Sequence, residues 1–241
     1  MRFYPQRGLH GQLVDTIGRE IVSGHFAPGQ TLDVGALEAE RDVSKTALRE
    51  ALRVLAGKGM VESRQKRGTV VRPSSAWNLL DPDILRWQMR DTAPEMLVAL
   101  DEVRAIVEPS GAALAARNRT ESDLEALSAA LEEMVRTAAD PPAHAAADVA
   151  FHRALLAASG NDLLARIGSV FEAVLRARDE LVHRVGHRHD FEAPHAAVLE
   201  AVREQDPERA REAMEALLAK ARRDEREIAD GGGEAGNGTA P

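Results

Sequence analysis

The sequence predicts a mostly α-helical chain of two domains, and three observations carry that prediction. Hydrophobic residues make up 44% of the 241 positions and aromatics only 3%, so the core is built from Ala, Leu and Val, which favours helices over sheets. The charge is unevenly divided: within an overall −8, residues 1–73 carry +4 and the remainder −12. That asymmetry is expected of a nucleic-acid-binding module joined to an acidic domain with another task. The length suits two domains, at roughly 100 to 200 residues each. The expected division is 1–73, 74–230 and a flexible, glycine-rich tail at 231–241.

The same totals exclude several chemistries. With no cysteine there are no disulfides, thiolate metal sites or cysteine nucleophiles. The opening MRFYPQRG has no apolar centre, and no apolar run approaches the roughly 20 residues of a membrane span. A soluble cytoplasmic protein without membrane contact is expected.

Leu9, Leu13, Ile17 and Ile21 repeat every four residues, which predicts an amphipathic helix over 9–23, stopped by Gly24 and the turn Ala27-Pro28-Gly29. A second helix is expected from about Gly35 to Glu40, and a third at Val43–Leu55. Ser44 is its natural N-cap. Leu48, Leu52 and Leu55 give that helix one apolar stripe, while Lys45, Arg49 and Arg53 step along another face. A helix with a packed back and Lys, Thr and Arg near its N-terminus has the shape that enters a DNA major groove. An ordinary solvated helix face fits the same spacing. Gly57 and Gly59 then break the pattern, and short strand-like segments at 60–62 and 69–71 flank the basic loop Arg64-Gln65-Lys66-Arg67-Gly68. Three helices and a basic hairpin describe a winged helix-turn-helix, whose wing would touch phosphates or the minor groove.

These motifs are specific: Gly24, Pro28, Gly29 and Leu32, then VSKTALREALRVLAGKGMVE and RGTVV. Over residues 9–72 they resemble the DNA-binding domain of the GntR family of bacterial repressors. The resemblance implies groove and phosphate contacts for Lys45, Thr46 and Arg49, with Arg67 and Gly68 at the wing; Ser44 and Arg53 complete the expected interface. One departure stands out. Asp33-Val34-Gly35-Ala36 replaces the family's Pro-Ser-Glu-Arg, and Arg41 falls where the pattern has an apolar residue.

Residues 73–80 read as a linker, after which Asp81-Pro82 opens a short helix with Ile84, Leu85 and Trp87. Trp77 and Trp87 are expected to form an apolar clamp between the domains. Helices then follow at 94–117, 121–138 behind a Thr120/Asp123 capping box, 141–158 behind Asp140, from Gly160-Asn161 to about Gly186, at 190–205, and from Asp206-Pro207 onward.

Three polar interruptions of apolar stripes mark a candidate site. Arg104 sits between Leu100 and Val107; Asp148 and His152 are four apart, so one helix turn stacks a carboxylate over an imidazole; His195 lies among Phe191, Val198, Leu199 and Val202. A lone core histidine or a local Asp/His hydrogen bond is the ordinary meaning of each. Together they suit a shared cavity holding a cation and an anionic ligand, because an unpaired buried guanidinium is costly. His183, His187 and His189 fall near a helix end and are left aside.

DEVRAIVEPSGAALAAR, ADVAFHRALLAASGN and APHAAVLEAV resemble the all-helical FCD ligand-binding domain of the FadR subgroup. The resemblance implies a divalent metal on Asp148, His152 and His195 and a carboxylate effector reaching the metal and Arg104. Leu217 stands where the family has a fourth ligand, His; three ligands still suffice for Zn²⁺ or Mn²⁺ with open positions, and the same side chains also suit hydrogen bonds to a polyol without metal. WNLLDPDILRW is similar to a stretch of galactonate-operon repressors, which also lack that His, and implies a hexonate sugar acid. The expectation is a homodimeric repressor on a palindromic operator, not an enzyme. Its alternatives are a regulator answering lactate or a dicarboxylate, and a metal-dependent hydrolase or lyase.

Overall fold

The computed structural model describes residues 9–91, 93–182 and 190–231, and the chain falls into two compact units, 1–96 and 97–241. The first contains α1 (Leu9–Val22), β1 (Thr31–Leu32), α2 (Val34–Arg41), α3 (Lys45–Gly57), β2 (Val61–Arg64), β3 (Gly68–Val71) and α4 (Pro82–Asp91). The four-residue repeat of α1 buries Leu13, Ile17 and Ile21 in one core with Leu48, Leu52 and Leu55 of α3. Each such side chain contributes about 1.5–3 kcal/mol. Ser44 caps α3 as expected, its Oγ accepting from Ala47 N at 3.2 Å. The strands form an antiparallel sheet in the order β1-β3-β2, with Val61 opposite Val71 and Arg64 opposite Gly68. This register puts Gln65, Lys66 and Arg67 at the wing tip, where Gly68 at φ 81° supplies the left-handed turn. Strand β1 escaped the sequence reading because two residues are too few to display a period.

The first unit extends further than the expected boundary at 73. Ser74–Ala76 forms a short 3₁₀ turn, and Ile84 and Trp87 of α4 join the same core as α1 and α3. Trp87 packs the outer end of its ring against α1 at Gly18, where an added Cβ would come within 2.3 Å of it. Both tryptophans are accounted for inside this unit: Trp77 packs against its core and donates from Nε1 to Arg72 O at 3.1 Å. Their packing fastens α4 to the helix-turn-helix in place of the expected inter-domain clamp.

The second unit is helical throughout its described residues: α5 (Ala93–Asn118, beginning just ahead of the boundary), α6 (Glu121–Arg136), α7 (Pro141–Ala158), α8 (Asp162–Val182), α9 (Glu192–Arg203) and α10 (Pro207–Gly231). The helices start where the caps predicted. Thr120 and Asp123 make the reciprocal capping box, and Asp140 accepts from Ala143 N at 3.3 Å. Phe151, Leu155, Val198, Val202, Met214 and Leu217 belong to one core. Gly111 of α5 admits Leu156 of α7, which a Cβ would meet at 2.4 Å. No helix of the described residues is long and apolar enough to cross a membrane. His183, His187, His189 and the tail beyond Gly231 lie outside the described residues.

Candidate functional site

Two regions gather the expected functional residues, one in each unit. In the first, Lys45, Thr46, Arg49 and Arg53 are all exposed along α3, and Arg67 is exposed at the wing. Lys45, Arg49, Arg53, Arg67 and Gly68 line a single open cleft with Asp33 and Glu62. Ser44 and Thr46 do not line it, and Ser44 spends its hydroxyl on the cap. Not every cation on this face is free: Arg53 Nη1 donates to Glu50 at 3.0 Å and Arg64 Nε to Glu62 at 2.7 Å. Arg41, anomalous in the sequence pattern, is explained by a two-pronged bond to Glu20 at 2.7 and 2.9 Å.

In the second unit Arg104 comes from α5, Asp148 and His152 from α7, and His195 from α9. Arg104, His152 and His195 are buried, whereas the Asp148 side chain keeps 32% of its surface exposed. Arg104 does not await an external anion, as the sequence reading expected. Its Nε donates to Glu108 Oε1 at 2.7 Å, and Glu108 is fully buried. Glu108 is the residue that reading missed. The available signal was its position four residues after Arg104, on the same helix face. Burial alone would lower the Arg104 pKa, but the neighbouring carboxylate overrides burial and holds it above its ordinary value. Burial would likewise raise the Glu108 pKa, and Arg104 and then His152 bring it down to about 2.

The hydrogen bonds fix which ring nitrogens face the site. Arg104 Nη2 lies 3.2 Å from His152 Nε2. A guanidinium only donates, so Nε2 carries a lone pair and the neutral ring's proton sits on Nδ1, 2.7 Å from Glu108 Oε2. That last contact is off the hydrogen-bond axis and acts chiefly through charge. His195 Nδ1 is 2.7 Å from Phe191 O, so it donates there and leaves Nε2 as the second lone pair. Nε2 of His195 is buried without a hydrogen-bond partner, although Asp148 Oδ1 is only 3.1 Å away; His152 Nε2 is 3.8 Å from the same oxygen. Acceptors thus face one another, with the ligand atoms of all three residues within 4.8 Å. Such an arrangement needs a positive charge among them, a proton or a metal ion, and two imidazoles with a carboxylate form a donor set that fits a divalent cation. Leu217, at the expected fourth position, is buried in the apolar core and supplies no ligand.

A winged helix-turn-helix with a basic cleft, followed by a helical domain with an acceptor-lined polar interior, defines a DNA-binding regulator with a sensor domain. Comparison with known proteins makes the family explicit. Residues 9–71 match the bacterial regulatory proteins of the gntR family and residues 99–220 match the FCD domain. The chain belongs to the GntR family of transcriptional regulators and carries an FCD domain. It is 34% identical over 224 residues to the galactonate operon transcriptional repressor of Escherichia coli, covering 90% of this chain and 96% of that one. It is 30% identical over 206 residues to the Glc operon transcriptional activator of the same species, covering 81% and 80%. Among solved structures it is similar to a Streptococcus agalactiae GntR protein, with a TM-score of 0.51 and 26% identity over 89% of this chain and all of that one. These relatives and domains are those of transcriptional regulators, not enzymes. Residues 74–96, including α4, lie outside both family matches.

Proposed function

We propose that the chain is a homodimeric repressor of sugar-acid catabolism, released from a palindromic operator by a galactonate- or gluconate-type hexonate. One observation carries the sensor reading: Asp148, His152 and His195 turn their acceptors on one another beside a buried Arg104. In this reading those three residues hold Zn²⁺ or Mn²⁺ with positions left open. The ion supplies the positive charge that lets a carboxylate settle next to Asp148. Arg104 and the exposed side of Asp148 then serve the effector's carboxylate and hydroxyls. The 34% identity to a galactonate operon repressor over nearly the whole chain supports a hexonate.

On the DNA side, Lys45, Thr46 and Arg49 enter the major groove from α3, flanked by Ser44 and Arg53, while Arg67 and Gly68 bring the wing to the backbone. Two copies read the two halves of the operator. Binding DNA places the protein in the cytoplasm. The effector acts by having different affinities for the operator-bound and free geometries.

Fluorescence anisotropy of the full chain on the DNA upstream of its own gene tests the proposal. A hexonate should raise the operator Kd, with binding falling steeply in salt. Release by lactate or a dicarboxylate instead moves the assignment to another carboxylate. An unchanged Kd with every acid removes the sensor claim.

A further inference from the structure

The acceptor trio explains what an ion would bind, but not why two imidazoles with two nitrogens each present the same one. For His195 the answer is local, since the carbonyl of Phe191 one turn earlier takes the Nδ1 proton. For His152 no backbone group does this. The group beside its Nδ1 is Glu108 Oε2 at 2.7 Å, reaching from another helix, and the other oxygen of that carboxylate binds Arg104 Nε at 2.7 Å. One fully buried carboxylate thus touches both the cationic arm and one imidazole arm of the site.

We propose that Glu108 is the positioning residue of the sensor site: it keeps the His152 proton on Nδ1, so that the Nε2 lone pair, which accepts from Arg104 Nη2 in the metal-free site, can be turned to an ion when Arg104 moves aside, and it anchors Arg104 Nε on the same helix. The physical reason is charge. A carboxylate at ion-pair distance favours the tautomer that turns its N–H toward it, even off axis, and a buried Arg104 without Glu108 would turn to Asp148 for an anion. Without Glu108, His152 is free to carry its proton on Nε2, where it would point at Asp148 and block the lone pair an ion requires. Glu108 itself stays outside the ligand set, because both its oxygens are engaged by Arg104 and His152. Residues that orient a metal-binding imidazole in this way govern ion affinity without touching the ion.

The inference rests on the metal reading for its consequence, but not for its geometry, and the experiment separates the two. The tautomer of His152 is read in the intact, ¹⁵N-labelled, metal-free protein from two-bond proton–nitrogen correlations, with His152→Gln identifying its signals. Zn²⁺ and Mn²⁺ affinities are measured alongside by calorimetry. Wild-type His152 should carry its proton on Nδ1. Glu108→Ala should shift the population toward Nε2–H and weaken ion binding by about 10- to 100-fold. Glu108→Gln, whose amide oxygen can still face Nδ1–H with its partial negative charge, should restore the tautomer and part of the affinity. A wild-type proton on Nε2, or a Glu108→Ala protein whose tautomer is that of the wild type, overturns the proposal. If Glu108→Ala fails to fold, the wild-type and Glu108→Gln spectra decide it. If the wild type binds neither ion while Glu108→Ala still changes the tautomer, the metal reading fails and the positioning role stands.

Discussion

Each unit holds a network of charged side chains, partly buried in the first and almost wholly buried in the second, and the two are built on opposite principles. In the first unit, Lys58 at the end of α3 donates to Asp81 at 2.7 and 2.9 Å and to Asp83 at 2.8 Å. Arg86 bridges Asp83 and Asp15 at 3.1 and 3.0 Å, and Asp15 also takes Trp87 Nε1 at 2.9 Å. Every carboxylate there meets a donor, and the network ties α4 to α1 and α3. Among the described residues of the second unit, Arg104 is set against Glu108 and donates to His152 Nε2, while His195 Nε2 turns its lone pair toward Asp148 without a donor between them. A satisfied network fastens structure, whereas surplus acceptors are groups that a cation could satisfy.

The two networks should respond to mutation with opposite signs. The largest effect is expected in the satisfied one: Lys58→Ala leaves Asp81 and Asp83 facing each other and should cost the first unit about 3–5 kcal/mol, read from urea denaturation. Equal stability of that variant and the wild type would break the contrast. In the unsatisfied network, Asp148→Asn should lower ion affinity by at least about 100-fold, or ~2.7 kcal/mol. The same substitution should leave metal-free stability unchanged or raise it by about 1 kcal/mol, because the new amide can donate to His195 Nε2. Destabilisation of the metal-free protein would mean that the surplus is only apparent. The smallest effect belongs to the exposed Arg53, whose side chain is 80% open and already paired with Glu50. Arg53→Ala should leave stability within about 0.5 kcal/mol and reduce the salt dependence of operator binding by at most about one ion.

Legibility in the sequence followed the range of the physics. The Leu9–Ile21 repeat, the Ser44 cap and the Thr120/Asp123 box were readable because helix periodicity and capping act within four residues. Asp148 with His152 was readable for the same reason, and His195 because an imidazole interrupting an apolar stripe announces itself. Glu108 was hidden by habit rather than by distance. Its pairing with Arg104 is as local as the others, but a cation on an apolar stripe has the same spacing whether its anion is a neighbouring side chain or a ligand. The position of α4 could not be read at all. Lys58 and Asp81 are 23 residues apart and Asp15 and Trp87 are 72 apart, and nothing local says that a helix following a linker-like stretch folds back onto the module before it.

In the proposed sensor, the surplus acceptors of the helical unit become a carboxylate site when a cation satisfies them. Calorimetric titration of galactonate into chelator-stripped full-length protein, repeated after adding Mn²⁺, tests this most directly. The account predicts little heat from the stripped protein and saturable binding once the ion is present, lost again in Asp148→Asn. Equally tight galactonate binding with and without the ion would contradict it.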